Sequence, residues 1–131
     1  MSPALEDFRV ESGAGRTHLS ARVLFQGQSP VVVVSGGEAH IGAVALAEPV
    51  AREDTAEHAG VRRATVSLLV RTGHREDELA AVAARRISTA SGEPAVVCAG
   101  IHLDAITTEE IDQVRRNMET LTDLILERLQ Q

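Results

Sequence analysis

Three short stretches of the chain place a histidine beside glycine, each at the end of a predicted β-strand. They are residues 35–42 (Ser-Gly-Gly-Glu-Ala-His-Ile-Gly), 73–76 (Gly-His-Arg-Glu) and 99–104 (Ala-Gly-Ile-His-Leu-Asp). Glycine allows a sharp turn or a close approach of backbone to a ligand, and histidine both donates and accepts hydrogen bonds near neutral pH. The repetition of this pairing predicts that the three stretches converge on one binding site.

The stretch around His74 and Arg75 has the chemistry of an anion site. Both residues follow Gly73 at the predicted start of a helix, where free backbone amides and the helix dipole favour negative charge. A guanidinium adds two parallel donors that fit a phosphate group. The alternative is an exposed basic pair that is neutralised by Glu76 and Asp77.

His102 and Asp104 follow another predicted strand. Such a pair suits acid–base chemistry, and with His40 and His74 it could supply metal ligands. The sequence contains neither the Gly-x-Ser-x-Gly turn of a serine hydrolase nor a short ligand spacing such as His-x-x-x-His. We therefore expect no catalytic residue and no metal, and a small acid–base enzyme remains the alternative.

Alternating apolar and polar residues predict most of the strands. Residues 17–26 alternate with a period of two, which is typical of a strand with one solvated face. The four valines at 31–34 predict a central strand, joined to the first by the turn-forming residues 27–30 as a hairpin. Further strands are predicted at residues 5–10, 41–47, 62–71 and 95–101.

The stretch at residues 36–42 also fits a simpler structure, a glycine-containing β-hairpin in which His40 is an ordinary polar residue. Two other histidines are expected to lie outside the site. His18 falls on the polar face of a predicted strand, and His58 falls in the acidic loop at residues 52–60.

Two amphipathic helices are predicted, one before and one after the last strand. Residues 74–90 carry apolar side chains at three- and four-residue spacing and end before a glycine and a proline. Thr107 and Glu110 form a capping box that begins a helix running to Leu129. The predicted elements are five mostly sequential strands, followed by a helix, a strand and a helix. This order predicts an α+β fold with a mainly antiparallel sheet of about six strands. Residues 1–131 are expected to form one domain.

Composition excludes several classes of function. The net charge of −6 and the aromatic content of 2% provide neither the basic surface nor the stacking platforms of a nucleic-acid binder. All 13 basic residues are arginine, so Schiff-base chemistry through lysine is excluded. The single cysteine, Cys98, rules out an internal disulfide and lies in an apolar run that predicts a buried, unreactive side chain.

No apolar run is long enough to cross a membrane and no leader-like segment opens the chain, so we expect a cytoplasmic protein without a membrane partner.

The three stretches together resemble a known family. The order Gly-Gly, His-Ile-Gly, His-Arg-Glu before a helix, and then Ala-Gly-Ile-His-Leu-Asp-Ala-Ile-Thr is similar to that of the small D subunits that accompany gallate-type decarboxylases, the prenylated-flavin chaperone-like proteins. The resemblance runs from about residue 31 to residue 129, and residues 99–107 are its most specific part. Here the gap between Gly37 and His40 is short, and Arg75 stands where a lysine is also found.

The resemblance implies a non-catalytic accessory protein that binds prenylated flavin mononucleotide (prenylated FMN) and helps to load it into a UbiD-like decarboxylase. It also implies an α+β fold related to proteasome assembly chaperones and a homodimer, for which a sheet edge and the C-terminal helix are the candidate interfaces. Carried over residue by residue, the cofactor-binding positions are Gly36, Gly37, His40, Ile41, Gly42, His74, Arg75, Gly100, Ile101, His102 and Asp104.

The residues themselves are compatible with this role. Arg75 and the amides at the helix start could hold the phosphate of a flavin mononucleotide, while Ile41 or Ile101 could accept the flat ring. A protein-only assembly factor that binds no flavin remains open as an alternative, because the chain is poor in the aromatic residues on which flavin rings often stack.

Overall fold

The computed structural model describes residues 5–52, 61–73 and 75–131, in which strands and helices follow one another in the predicted order. The strands are β1 (Phe8–Ser12), β2 (Leu19–Gln26), β3 (Ser29–Gly37), β4 (Ala43–Arg52), β5 (Val61–Val70) and β6 (Ala95–His102). The helices are α1 (Asp77–Ser91) and α2 (Thr108–Leu129), and a 3₁₀ turn (Gly15–Thr17) precedes β2. Neither helix is long and apolar enough to cross a membrane.

The six strands form one mixed sheet in the order β1-β2-β3-β6-β4-β5. All neighbouring pairs are antiparallel except β3 and β6, which run parallel at the centre. A parallel pair needs a long connection, and β4, β5 and α1 supply it. The carboxyl ends of both central strands therefore lie at the same edge of the sheet. The predicted α+β fold with a mainly antiparallel sheet is confirmed.

One predicted hairpin is confirmed and one alternative is wrong. β2 pairs with β3 from Leu19 opposite Gly36 to Gln26 opposite Ser29. β3 and β4 do not form a hairpin, because β6 lies between them and pairs with both. A short glycine-containing loop is a local signal, and it cannot reveal that a strand from much later in the chain will insert between its two arms.

The element boundaries differ from the predictions by a few residues. β1 begins at Phe8 instead of residue 5, and α1 begins at Asp77 instead of residue 74. Gly73 has a φ of +79°, a left-handed conformation that ends β5 in a turn before the helix can start. The predicted loop at residues 52–60 lies outside the described residues except for Arg52, the last residue of β4.

Both helices pack on one face of the sheet, and the hydrophobic core lies between these layers. Ala43, Ala45 and Ala47 alternate along β4 and are each at most 1% exposed, so these small side chains allow α1 to approach the strand closely. Burial of a large aliphatic side chain favours folding by roughly 1.5–3 kcal/mol. The largest fully buried aliphatic side chains are those of Leu19, Val23, Val32, Val34, Ile87, Val97, Leu121 and Ile125.

Hydrogen bonds fix α2 relative to the sheet. Ser12 Oγ donates to Asn117 O at 2.6 Å, and Asn117 Nδ2 donates to Thr17 O at 2.9 Å. The predicted capping box is present: Thr107 Oγ1 accepts from Glu110 N at 3.1 Å, and Glu110 Oε1 accepts from Thr107 N at 3.0 Å. The first half of α2 is therefore held both at its start and at its middle.

The second face of the sheet, which we call the open face, carries apolar side chains that neither α1 nor α2 covers. Strand register places Val33, Cys98, Val44 and Leu69 in one row across β3, β6, β4 and β5, and Leu46 is the next residue of β4 on this face. Leu46 and Leu69 are 41% and 75% exposed. Cys98 is only half-buried, and its partial burial raises the pKa of its thiol, which disfavours the reactive thiolate.

Candidate functional site

One edge of the sheet gathers the predicted stretches. β3 and β6 end there at Gly37 and His102, which are partners in the parallel register. β4 is antiparallel to β6 and therefore begins at the same edge. Gly73 and Arg75 of the remaining stretch line a cavity together with His102. The structure thus brings together residues from all three stretches, while His74 lies outside the described residues.

Gly100 allows the loop between β3 and β4 to cross directly over β6. A Cβ atom at Gly100 would lie 2.0 Å from the carbonyl oxygen of His40, so any larger residue would push the loop away. The His40 and His102 rings are neighbours, with centroids 5.2 Å apart and planes tilted by 38°. The absence of a side chain at Gly100 is therefore what lets the two imidazoles meet.

Gly37 has a similar role at the end of β3. Its φ is +59°, and a Cβ atom there would lie 2.0 Å from the carbonyl oxygen of His102. Glu38 N donates to that same oxygen at 2.9 Å. Gly36 is the register partner of Ile101. The backbones of the two strand ends are thus in direct contact, which fixes the positions of the side chains that follow.

Arg71, after the end of β5, holds the other end of the β3–β4 loop. Its Nη1 donates to Ile41 O at 2.8 Å and lies 3.4 Å from His40 Nδ1. Its backbone N donates to Gly42 O at 2.9 Å, and Gly42 N donates to Ala99 O at 3.0 Å. The Ile41 side chain remains 59% exposed. The loop that carries His40 is therefore bonded to both β5 and β6.

A cavity of about 330 Å³, which we call the helix cavity, lies between the end of β6 and the starts of α1 and α2. Its apolar wall consists of Leu79, Ile101, Leu103, Ile106, Ile111 and Val114. Its other lining residues are Gly73, Arg75, Glu76, Glu78, His102 and Arg115. An apolar wall with a few polar groups, and a volume in the range of about 300–1,000 Å³, is typical of a small-molecule site.

The guanidinium groups of Arg75 and Arg115 belong to this cavity, the first just before α1 and the second on α2. Among the described residues, neither group makes a hydrogen bond or an ion pair. Glu76 is only 7% exposed, and its carboxylate packs against Gly42, where a Cβ atom would lie 2.1 Å from Glu76 Oε2. Glu78 is exposed in the first turn of α1.

A second cavity, of about 360 Å³, also borders His102 and is more polar. His102 Nε2 lies 3.0 Å from Asp104 Oδ1, and one ligand atom from each of Glu38, His102 and Asp104 lies within 4.8 Å of the others. One imidazole and two carboxylates form a donor set suited to a divalent cation. Glu38 joins His102 and Asp104 only through the parallel register of β3 and β6, which no local sequence pattern predicts.

Arg16, in the 3₁₀ turn, fixes the loop that carries Asp104. Its Nη2 donates to Asp104 O at 2.5 Å, and its Nε donates to Glu110 Oε2 at 2.7 Å. The Arg16 hydrogen bond, with that from the Thr107 amide, lowers the pKa of Glu110 to about 2. Ala105 has a φ of 49°, which is uncommon for a residue other than glycine.

Several residues of the site were not found by sequence reasoning. Arg16, Arg71 and Arg115 gave no local signal, because arginine is the basic residue throughout this chain and most arginines are expected on the surface. His18 was expected outside the site, but it lines the second cavity together with His102. It does not line the helix cavity. Because β2 is antiparallel to β3, the residue before β2 lies at the same edge as the end of β3. His58 lies outside the described residues.

Comparison with known families gives a match over nearly the whole chain. Residues 13–130 match the family model of the prenylated flavin chaperone LpdD-like domain. The chain belongs to this family. Because the LpdD-like family is one of chaperones, the protein is a non-enzymatic accessory protein, as the sequence predicted. No curated protein matches the sequence.

The fold of this LpdD-like domain is similar to that of a solved structure, a chaperone complex for yeast 20S proteasome assembly. The TM-score is 0.59 at 13% sequence identity, and the match covers 94% of this chain and 98% of the other. At this identity the similarity concerns the fold alone. The predicted kinship of fold with proteasome assembly chaperones is confirmed.

The contact between Gly100 and His40 predicts a specific effect of substitution. Gly100→Ala should destabilise the protein by about 1–3 kcal/mol through overpacking, and it should shift the imidazole resonances of both His40 and His102. Denaturant unfolding and NMR measure the two effects. Gly27→Ala is the control: it lies in the β2–β3 turn, has a φ of +62° and meets no atom within 4 Å, so it should leave both imidazoles unchanged. Unaltered imidazole resonances in Gly100→Ala would contradict this account.

The Arg16–Glu110 pair predicts a dependence of stability on pH. Because the pKa of Glu110 is lowered in the folded state from 4.5 to about 2, its contribution is fully present above pH 4.5 and is lost as the pH falls towards 2. Urea unfolding between pH 5 and 2 should show this loss, and Glu110→Gln should reduce it while keeping an acceptor for the capping box. Glu109→Gln, which changes a neighbouring carboxylate outside the Arg16 hydrogen bonds, should retain the wild-type slope. Equal slopes in all three proteins would rule out this origin.

Proposed function

We propose that this chain binds prenylated FMN and delivers it to a UbiD-like decarboxylase, and that it carries the cofactor without using it in catalysis. The observation that supports this most directly is the family match over residues 13–130, combined with an apolar cavity at the strand edge that is lined by three of the predicted residues, Arg75, Ile101 and His102. The cytoplasm, where flavin enzymes of this kind would be assembled, is the compartment that we propose.

The helix cavity suits the two chemical parts of a flavin mononucleotide. Its aliphatic wall, which includes Ile101 and Leu103, can accept a flat ring system without an aromatic partner. Its guanidinium groups can bind the phosphate dianion, for which Arg75 at the start of α1 is well placed. The net charge of the chain is −6, so a dianionic ligand requires such a local concentration of positive charge.

The remaining predicted residues have a different place in this proposal. His102 lines both cavities, and the ring of His40 lies 5.2 Å from that of His102 across Gly100. Gly37 and Gly100 act by permitting backbone contacts that fix the loops, whereas Gly36 and Gly42 make room for the side chains of Leu19 and Glu76. Ile41 and Asp104 lie on the surface near the site rather than in the helix cavity, and we propose that they border the ligand or the acceptor enzyme.

Arg75→Ala tests the cofactor site. Titration of the purified protein with reduced prenylated FMN under anaerobic conditions, followed by fluorescence, should show binding that the substitution weakens about tenfold or more. The loss of a charge-assisted hydrogen bond to phosphate is the physical reason. Arg85→Ala is the matched control, since Arg85 is exposed on α1 and does not line the cavity; it should bind as the wild type does.

The purified protein and reduced prenylated FMN also separate the carrier proposal from the protein-only alternative. A carrier should activate an apo-decarboxylase only when it is loaded with prenylated FMN. A protein-only assembly factor should raise the activity of the decarboxylase without binding flavin itself. Absence of flavin binding by the wild-type protein would overturn the carrier proposal.

We further propose that the protein is a homodimer in which the open faces of two copies pack together. The helices cover one face of the sheet, and a sheet whose two faces are both apolar normally has a layer on each side. A second copy would supply that layer through an isologous contact in which the same residues meet across a two-fold axis. The exposed Leu46 and Leu69 favour this surface over the two interfaces considered from the sequence, the sheet edge and the C-terminal helix.

Leu69→Arg tests this interface. Leu69 is 75% exposed, so the substitution should leave the fold of one chain intact while placing two charges in a desolvated contact. Analytical ultracentrifugation should report a dimer for the wild type and a monomer for the variant. Val82→Arg, at a 44% exposed position on α1, should remain a dimer. A monomeric wild type, or a dimeric Leu69→Arg, would refute the proposed contact.

A further inference from the structure

Arg115 is a basic residue of the helix cavity that belongs to none of the three stretches. It lies on α2 one turn after Ile111 and next to Val114, and all three residues line the cavity. Residues four apart share one face of a helix, so the face of α2 that supplies the apolar wall also supplies a guanidinium. Arg75 reaches the same cavity from the segment before α1.

The carboxylates of the cavity form no ion pair with these two groups among the described residues. Glu76 is buried against Gly42, at the start of β4. Glu78 lines the cavity on α1, but no salt bridge joins it to Arg75 or Arg115 among the described residues. Other arginines near the helices are engaged elsewhere: Arg16 with Glu110 and Arg86 with Asp123.

Arg115 also lines a narrower groove between the two helices, together with Glu78, Arg86 and Glu119. The groove measures about 110 Å³, too small for a mononucleotide, and it opens beside the helix cavity because both share Leu79. Arg115 therefore lines both spaces, and its side chain is exposed.

From this arrangement we infer that Arg75 and Arg115 together bind one phosphate group, which we call the two-arginine phosphate site. The cavity therefore selects the phosphate-bearing flavin mononucleotide over its dephosphorylated form. Two guanidiniums from different elements can each donate two hydrogen bonds to one dianion. This inference rests on the proposed function. It also orients the ligand: the phosphate lies at the rim between α1 and α2, and the ring lies on the aliphatic wall towards Ile101 and His102.

The test compares the affinities of Arg115→Gln and Arg116→Gln for two ligands. Arg116 is the neighbouring exposed arginine on α2, and its Nη2 donates to Gln113 Oε1 at 3.0 Å instead of lining the cavity. The ligands are reduced prenylated FMN and the same compound after removal of the phosphate, titrated anaerobically. Circular dichroism and thermal melting establish that both variants are folded.

The two-arginine phosphate site predicts that Arg115→Gln weakens binding of prenylated FMN about tenfold or more. Binding of the dephosphorylated ligand should stay within about twofold of the wild type. Arg116→Gln should bind both ligands as the wild type does. An equal loss of affinity for the two ligands, or equal affinities of the two variants, would overturn the two-arginine phosphate site and leave the carrier function standing. A wild type that binds neither ligand would overturn the proposed function and the phosphate site together.

Discussion

The parallel pairing of β3 with β6 is the constraint on which the candidate site depends. It places two strand ends, Gly37 and His102, side by side at one edge of the sheet. The antiparallel neighbours β2 and β4 then begin at that edge, and the connections to α1 and α2 start from it. The carboxyl ends of parallel strands are a recurrent location for ligands in sheets with helical crossovers. In this protein a single parallel pair within an otherwise antiparallel sheet creates such an edge, and the candidate site lies there.

Close backbone contact at this edge is possible because glycine occupies the contact positions. The carbonyl oxygen of His40 occupies the space where Gly100 would carry a side chain, and that of His102 does the same at Gly37. Gly37 and Gly100 thus position the two histidines. Arg16 and Arg71 complete the frame by donating to backbone carbonyls of two loops. Fixed loops of this kind reduce the entropy that a bound ligand would otherwise have to overcome.

The two faces of the sheet have different physical roles. The face under the helices is built from small alanines and close-packed aliphatic side chains, which makes it a rigid support for the site. The open face remains apolar and exposed, with Leu69 at its edge strand. The same fold therefore presents the candidate helix cavity at one edge of the sheet and an apolar surface on the open face.

The sequence by itself determined the α+β class, the order of the elements, the β2–β3 hairpin and the capping box at Thr107, because each depends on local periodicity or on residues a few positions apart. It also indicated that the glycine and histidine stretches act together. Only the tertiary structure decided that β6 inserts between β3 and β4, and with it which side chains meet. His18, Arg71 and Arg115 join the site, and Glu38 joins His102 and Asp104, through register between distant strands and helices. Such pairings are selected by burial over the whole sheet, and no local pattern in one sequence records them.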